Sequence, residues 1–148
     1  MNDCLQVAQA YERALFAGRM EEVASYLTAD VVYWVAGGPP LGGEWRGRDA
    51  VIAAFEKREF GLGAADWGYE GLAREWSAAG DRVIVEIHER SWLTSHPEDV
   101  MDQRTCVVLS FRADRICEMR DYTDSHIYEA FLERHRRDLP KFAGLAPR

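Results

Sequence analysis

The sequence has little of what builds covalent or metal cross-links. Its 148 residues include three cysteines, an odd number without a CxxC pair, and four histidines without HxH or HExxH spacing. Disulfide scaffolds and zinc sites use denser or more regular patterns. We expect Cys106 and Cys117 on neighbouring strands with their side chains on opposite faces, so we predict no disulfide between them. The expectation is a reduced protein without a bound metal.

Long apolar runs, basic patches and nucleotide-binding motifs are also missing. No apolar run approaches the ~20 residues that a membrane span requires, and the first residues lack the basic start and cleavage site of a signal peptide. The net charge of −7 disfavours nucleic acids and anionic membranes as partners. GxGxxG, P-loop and GxSxG motifs do not occur. We therefore expect a cytoplasmic protein that uses no cofactor and binds neither nucleic acid nor membrane.

What the chain does have is the composition of one folded domain over 1–148, with 47% hydrophobic residues. Periodicity predicts helices near both ends and strands between them. The helices are expected at 4–17, 20–30 and 49–60, and for roughly 12 residues from 125, within a C-terminal segment over 125–148. The strands are expected at 31–35, 72–77, 82–94, 101–112 and 116–123, with turns at 37–40, 79–81, 95–99 and 113–114. This order predicts an α+β fold in which a curved, mostly antiparallel sheet wraps around the N-terminal helices.

Strand alternation selects the side chains that face those helices. In 82–94 the more apolar set is expected to point inward, and the same rule applies to the two strands that follow. The expected inward residues are Val83, Val85, Ile87, Glu89, Ser91, Leu93, Thr105, Val107, Leu109, Phe111, Cys117, Met119, Asp121 and Thr123.

Two acids interrupt this apolar face, Glu89 and Asp121. A lone inward carboxylate costs several kcal/mol unless it is neutralised or paired. On neighbouring strands the two would push each other's pKa apart, which is how an acid and a base can coexist for proton transfer. The alternative is structural: both acids lie in water at the sheet rim, or they bind Arg104 or Arg120.

Two segments of the chain resemble a known fold. Over 26–55, an apolar strand, a loop with four glycines and two prolines, Glu44-Trp45 and a helix near Arg48 follow one another. That order resembles the cone-shaped fold of nuclear transport factor 2, ketosteroid isomerase and the SnoaL-type polyketide cyclases, which encloses one deep pocket. The resemblance covers about 5–131. The segment 119–124, MRDYTD, is similar to the WRDYFD-like ending of limonene-epoxide-hydrolase-type and SnoaL-like proteins, and it implies that Asp121 faces the pocket and acts in acid/base work.

The match to each catalytic pattern is partial. Epoxide hydrolases of this type have Arg-x-Asp on the long middle strand, where this chain has Ile87 and Glu89. The first helix resembles that of ketosteroid isomerase, which implies that Tyr11 donates to a developing oxyanion. The aspartate base of that family would fall near Val35, where there is none. The alternative for Tyr11 is a core tyrosine with its hydroxyl satisfied.

The remaining candidates concern ligand and partner. Aromatic and inward residues can line an apolar pocket for a small-molecule ligand, or they can be plain core. The expected ligand contacts are Tyr33, Trp34, Trp45, Trp67, Thr105 and Met119. On the opposite sheet face, His88 and Trp92 predict a homodimer interface, as the resembling families commonly form.

These observations favour a cofactor-free acid/base enzyme acting on a small, largely apolar molecule. Asp121 would move the proton, Glu89 would be its partner, and Tyr11 a hydrogen-bond donor. Isomerase, dehydratase or cyclase chemistry, as in secondary metabolism, fits this set. The alternatives are a non-catalytic ligand-binding or dimerisation domain, and an epoxide hydrolase with an altered triad. The enzyme and the non-catalytic domain differ in whether Glu89 and Asp121 share one dry cavity.

Overall fold

Four helices and six strands form the structure. The computed structural model describes residues 4–37, 42–56 and 66–135. The helices are α1 (Cys4–Phe16), α2 (Met20–Ser25), α3 (Arg48–Glu56) and α4 (Ser125–Arg134). The strands are β1 (Leu27–Val35), β2 (Gly43–Arg46), β3 (Trp67–Ala79), β4 (Arg82–Leu93), β5 (His96–Arg112) and β6 (Arg115–Tyr122). The predicted turn at 37–40 lies largely outside the described residues, as does the tail beyond 135.

The six strands form one curved, unclosed sheet in the order β2-β1-β6-β5-β4-β3. All neighbouring pairs are antiparallel except β1 and β6, which run parallel. The predicted α+β class, with its mostly antiparallel sheet, is confirmed. We call the side against which α1, α2 and α3 pack the inner face, and the other side the outer face.

Helix α1 shows why these segments fold as they do. Ala8, Tyr11 and Ala14 recur at helical spacing and are buried against the sheet. The helix ends before Gly18, whose φ of 69° is a left-handed conformation that glycine adopts without strain. The main core joins this helix stripe to the inner face. Its buried members are Ala8, Tyr11, Ala14, Val23, Leu27, Val31, Val51, Phe55, Val83, Leu109, Phe111, Ile116 and Met119.

Helix α4 covers one end of the inner face and builds a second, smaller core. Asp124 caps its N-terminus by accepting a hydrogen bond from the backbone N–H of Ile127 at 3.2 Å. The helix buries Phe131 against side chains from three strands. These are Trp67, Leu93 and Met101. None of the helices in the described ranges is both long and apolar enough to cross a membrane.

An ion-pair clasp ties α4 to the start of β5. Arg134 donates two hydrogen bonds to the Asp99 carboxylate, at 3.0 and 3.1 Å. His135 Nε2 lies 2.6 Å from Asp99 Oδ2, and the His135 side chain is buried. Arg134 is the main reason that the pKa of Asp99 is held below its usual value, because its hydrogen bonds favour the charged carboxylate.

Two predicted boundaries are wrong. The second helix ends at Ser25 and not at 30, because Leu27 begins β1 and pairs with Ile116 of β6. Leu27 is buried in the core as expected, but from a strand. The turn predicted at 95–99 is only two residues long, and β5 already begins at His96. Between the pairs Leu93–His96 and Ser91–Met101 the ladder shifts register, an irregularity in which a proline such as Pro97 is tolerated.

The side-chain alternation predicted for β4 is confirmed. In β4 the buried residues alternate with exposed ones, and the buried set is the one expected to point inward. Cys106 and Cys117 are both free thiols. Cys117 lies at a register shift between β5 and β6, and its sulfur donates to the carbonyl of Ser110.

The clasp predicts an acid-sensitive contribution to stability. Asp99→Asn removes the charge that Arg134 and His135 bind, and it should lower the free energy of unfolding by about 1 kcal/mol at about pH 7. A lowered folded-state pKa means that this contribution is complete above the unfolded value and is lost as the pH falls through the folded value. The difference from the parent should therefore shrink at about pH 3.5. Urea unfolding at both pH values measures it.

Asp114→Asn, in the exposed β5–β6 turn, is the matched control and should behave as the parent at both pH values. An Asp99→Asn effect that is equally large at acid pH would contradict the clasp.

Candidate active site on the inner face of the sheet

A row of polar side chains crosses the inner face. Glu89 on β4 lies opposite Gln103 on β5, and Thr105 follows two residues later on the same side. Asp121 on β6 lies opposite Val107 of β5. The structure therefore places both predicted acids on the inner face of the sheet.

Glu89 is held by a neutral donor. Gln103 Nε2 donates to Glu89 Oε1 at 3.0 Å, and Tyr69 lies close enough for the negative charge of Glu89 to raise the pKa of the phenol. Glu89 is half-buried. Within the described ranges no lysine, arginine or histidine forms an ion pair with it. A carboxylate fixed in this way stays available to accept a proton.

Tyr69 is a donor whose proton is strongly retained. Burial and then the negative charge of Glu89 raise the pKa of Tyr69 to about 12, and Arg74 only partly offsets this. Arg74 Nη2 donates to the Tyr69 oxygen at 2.9 Å. The phenol can therefore receive a hydrogen bond from Arg74 while it donates its own to Glu89.

Arg74 is fixed on three sides. Its Nε donates to Glu12 on α1 at 2.9 Å, its Nη2 bonds Tyr69, and its guanidinium lies 4.8 Å from the Phe16 ring centre. Burial lowers the pKa of Arg74, but the hydrogen bonds that it donates to Glu12 and Tyr69 outweigh this effect, so the net shift of the pKa is upward and the side chain stays charged. Arg74 lies opposite Ile87 in the ladder, which is the position where the epoxide hydrolase pattern has arginine.

Asp121 has a different environment. Its Oδ2 lies 3.5 Å from the Tyr33 hydroxyl, a long hydrogen bond. The parallel pairing of β1 with β6 sets Val35 beside Asp121. Tyr33 is itself held by stacking on Trp45, with ring centres 5.5 Å apart, and by the edge of Phe55 at 5.2 Å. The side chains around Asp121 are thus aromatic and rigid.

The sequence led us to expect the two acids on neighbouring strands, and this expectation is wrong. Strand β5 lies between β4, which carries Glu89, and β6, which carries Asp121. Their partners on β5, Gln103 and Val107, are four residues apart, which is about 13 Å along a strand. They share a face without forming a carboxylate pair, so each acid must act through its own neighbours.

The other predicted residues occupy three different places. The Tyr11 hydroxyl donates to Met119 Sδ at 3.1 Å, and both side chains are buried in the main core. Trp34 lies on the outer face, opposite Arg120 and in edge contact with Tyr122 at 5.1 Å. Trp67 is buried at the α4 end of the inner face.

Sequence reasoning missed four members of the network. These are Glu12, Tyr69, Arg74 and Gln103. The strand predicted at 72–77 begins at Trp67, so Tyr69 was outside it. A register shift between Gly71 and Ala73 then changes which side chains face inward and brings Arg74 to the inner face, which alternation alone does not reveal. Gln103 could have been found from the sequence, because it lies two residues before Thr105 on the same strand and alternation places both on the same face.

The outer face holds the residues expected at a dimer interface. Asp102 binds His88 Nε2 at 2.7 Å and Arg90 Nε at 2.8 Å. The Trp92 indole lies over Gly68, where an added Cβ would fall 2.2 Å from its nitrogen. Trp92 is therefore laid flat on the sheet. The homodimer stays a prediction.

The residues in the described ranges form no cluster of three or more His, Cys, Asp or Glu side chains that could hold a metal ion. The side chains of the site offer two carboxylates, a phenol and an arginine that supports the phenol.

Comparison with known proteins gives one family. A family model described as a SnoaL-like domain matches residues 7–119. No curated protein is significantly similar to the chain in sequence.

Solved structures share the fold. An NTF2-like protein from Burkholderia xenovorans LB400 is 19% identical, with a TM-score of 0.73, and the match covers 86% of this chain and 94% of that one. An LEH-like epoxide hydrolase from M. tuberculosis is 20% identical, with a TM-score of 0.65 and coverage of 88% and 90%. A candidate polyketide cyclase from Xanthomonas campestris pv. campestris is 17% identical, with a TM-score of 0.68 and coverage of 87% and 96%. At these identities the likeness establishes the fold and not the reaction.

The site predicts the titration of one tyrosine. Tyr69 should ionise at about pH 12, and Glu89→Gln should lower its pKa without restoring the usual value of about 10, because burial is the larger cause. Since the folded pKa is raised, the protonated phenol adds stability that is present below about pH 10 and is lost as the pH rises through the folded value. Tyrosinate absorbance measures it, with Tyr69→Phe identifying the signal.

The matched control is Glu70→Gln, an exposed acid on the other face of β3, which should leave the Tyr69 pKa unchanged. An unchanged pKa in Glu89→Gln would mean that Glu89 and Tyr69 do not interact.

Proposed function

The chain belongs to the SnoaL-like domain family, and from that premise we propose that it is a cofactor-free enzyme that moves protons on a small, largely apolar molecule. The observation that carries the proposal is Glu89. It is a half-buried carboxylate on the inner face, and in the described ranges a neutral donor, the Gln103 amide, holds it in place of a cation. An acid kept only for stability is normally neutralised by a cation or left in water.

The proposed roles follow from the hydrogen bonds. The Gln103 amide fixes the carboxylate of Glu89 but leaves lone pairs free to take a proton from a carbon acid. Asp121, with the Tyr33 hydroxyl at 3.5 Å, transfers a proton at the other end of the site. Isomerisation, dehydration and cyclisation each need one group to remove a proton and another to supply one. The separation of the two acids suits a molecule with more than one ring.

Epoxide hydrolysis is the weaker reading. One structural relative is an epoxide hydrolase and another a candidate polyketide cyclase, so relatives alone do not separate the two reactions. The arginine expected at position 87 is isoleucine, and Arg74 across the ladder is engaged by Glu12 and Tyr69. A hydrolase would need that guanidinium to reach both acids.

A binding domain without turnover is the second candidate function. It is favoured by Tyr11, whose hydroxyl is directed to the Met119 sulfur in the packed core. In that reading the inner face selects a ligand, and Glu89 and Asp121 are polar contacts to it.

The test is hydrogen exchange on carbon acids, which does not require the natural substrate. The protein is incubated in deuterated water with a panel of bicyclic enones and hydroxy-ketones, and mass spectrometry measures deuterium uptake. We expect exchange with at least one compound, and Glu89→Gln and Asp121→Asn should each slow it by about 100-fold or more.

Glu75→Gln is the control because Glu75 pairs with Glu86 on the outer face of the sheet, and this variant should exchange as the parent does. If no compound exchanges deuterium, or if Glu89→Gln and Asp121→Asn both exchange as fast as the parent, the enzyme proposal is wrong and the binding domain remains.

We also propose that two copies pair through the outer face. Ile84 and Tyr122 are large apolar residues that are 37% and 44% exposed there. An open groove of about 220 Å³ on the same face is lined by Glu86 and Arg104. In a two-fold interface Glu86 of one copy can form an ion pair with Arg104 of the other.

Sedimentation analysis tests the pairing. The parent should be a dimer, and Ile84→Lys together with Tyr122→Lys should give a folded monomer, because both place a charge in the buried interface. Val100→Lys changes a residue of similar exposure in the irregular start of β5 and should leave the dimer intact. A monomeric parent would contradict the proposal.

A further inference from the structure

Two polar side chains on the inner face of β5 are almost completely buried with an atom unused. Gln103 is 3% exposed and Thr105 is 7% exposed. In the described part of the chain, Gln103 Oε1 and Thr105 Oγ1 have no hydrogen-bond partner. A buried polar atom without a hydrogen bond destabilises the folded protein, so two on one strand call for an explanation.

The orientation of the Gln103 amide is fixed by chemistry. A carboxylate only accepts hydrogen bonds, so the group of Gln103 that faces Glu89 must be the amide nitrogen, as the 3.0 Å contact has it. The amide oxygen therefore points elsewhere, and it too can only accept. Thr105, by contrast, carries a hydroxyl that can either donate or accept.

These two atoms lie between the proposed catalytic acids. Gln103 is in register with Glu89, and Val107 is in register with Asp121. Thr105 stands between Gln103 and Val107, about 7 Å from each along the strand. A ligand that touches both acids must therefore pass over Thr105.

We propose that Gln103 and Thr105 form a subsite for a hydroxyl group on a ring of the ligand. The inference rests on the proposed function in that the inner face must hold the ligand, but it does not require turnover. Only a donor satisfies Gln103 Oε1, which excludes a carbonyl, ether or epoxide oxygen at that point. A hydroxyl donates to Gln103 and accepts from Thr105, and so satisfies both atoms at once. The apolar neighbours Ile87 and Val107 accommodate the ring that bears it.

The experiment compares two probes, naphthol and methoxynaphthalene, in which a methyl group replaces the hydroxyl hydrogen and so removes the donor. Their dissociation constants are measured by calorimetry on the full chain and on Thr105→Val, Thr105→Ser and Gln103→Met. We expect the parent to bind naphthol at least about 10-fold more tightly than the ether. Thr105→Val and Gln103→Met should lose most of that preference, and Thr105→Ser, which keeps the hydroxyl, should retain it.

The melting temperature of the free protein gives a second readout. Thr105→Val replaces an unsatisfied hydroxyl with a methyl group of the same shape, so it should melt at or above the parent temperature. A clear drop in Thr105→Val with no drop in Thr105→Ser would mean that the hydroxyl already has a structural partner, which overturns the subsite.

Equal affinity for the two probes, or binding of neither, also overturns the subsite. A naphthol preference that depends on Thr105, in a protein that exchanges no deuterium, would support the subsite and refute the enzyme. The failure of one proposal is thus distinguishable from the failure of the other.

Discussion

Everything on the inner face depends on how a carboxylate is held on the apolar side of a sheet. Glu89 needs a donor there, and the Gln103 amide supplies it from the next strand, with the Tyr69 phenol near the same carboxylate. Tyr69 in turn is backed by Arg74, which is anchored to Glu12 of the first helix. The positive charge of Arg74 contacts Tyr69 and not Glu89 itself. This arrangement stabilises the carboxylate without neutralising it, which a base requires.

The sheet order sets what the second acid can do. Because β5 separates β4 from β6, Asp121 and Glu89 cannot share a proton directly. Each has its own tyrosine, Tyr33 for Asp121 and Tyr69 for Glu89. The stretch of β5 between them carries Gln103 and Thr105 on the inner face. The parallel pairing of β1 with β6 completes the site by bringing Tyr33 and its aromatic neighbours to Asp121.

Much of this could be predicted from the sequence, and the failures have identifiable causes. Alternation in β4 correctly assigned Val83 through Leu93 to their faces, because a long strand with one buried face has an unambiguous period. A register shift near Leu72 brings Arg74 to the inner face. The sequence does not reveal this shift, because a local irregularity in the hydrogen bonding of a strand does not alter the pattern of apolar residues. Trp34 was a different error: it neighbours Tyr33 on one strand, so the two cannot face the same side. Strand order, and hence the distance between the acids, depends on long-range pairing that no local pattern contains.

The most direct test of the account is a crystal structure of the protein with naphthol bound. The account predicts the ring on the inner face over Thr105, its hydroxyl on Gln103 Oε1, and Glu89 still held by the Gln103 amide without a cation. Naphthol bound elsewhere, or an arginine or lysine paired with Glu89, would contradict the claim that this face is the active site.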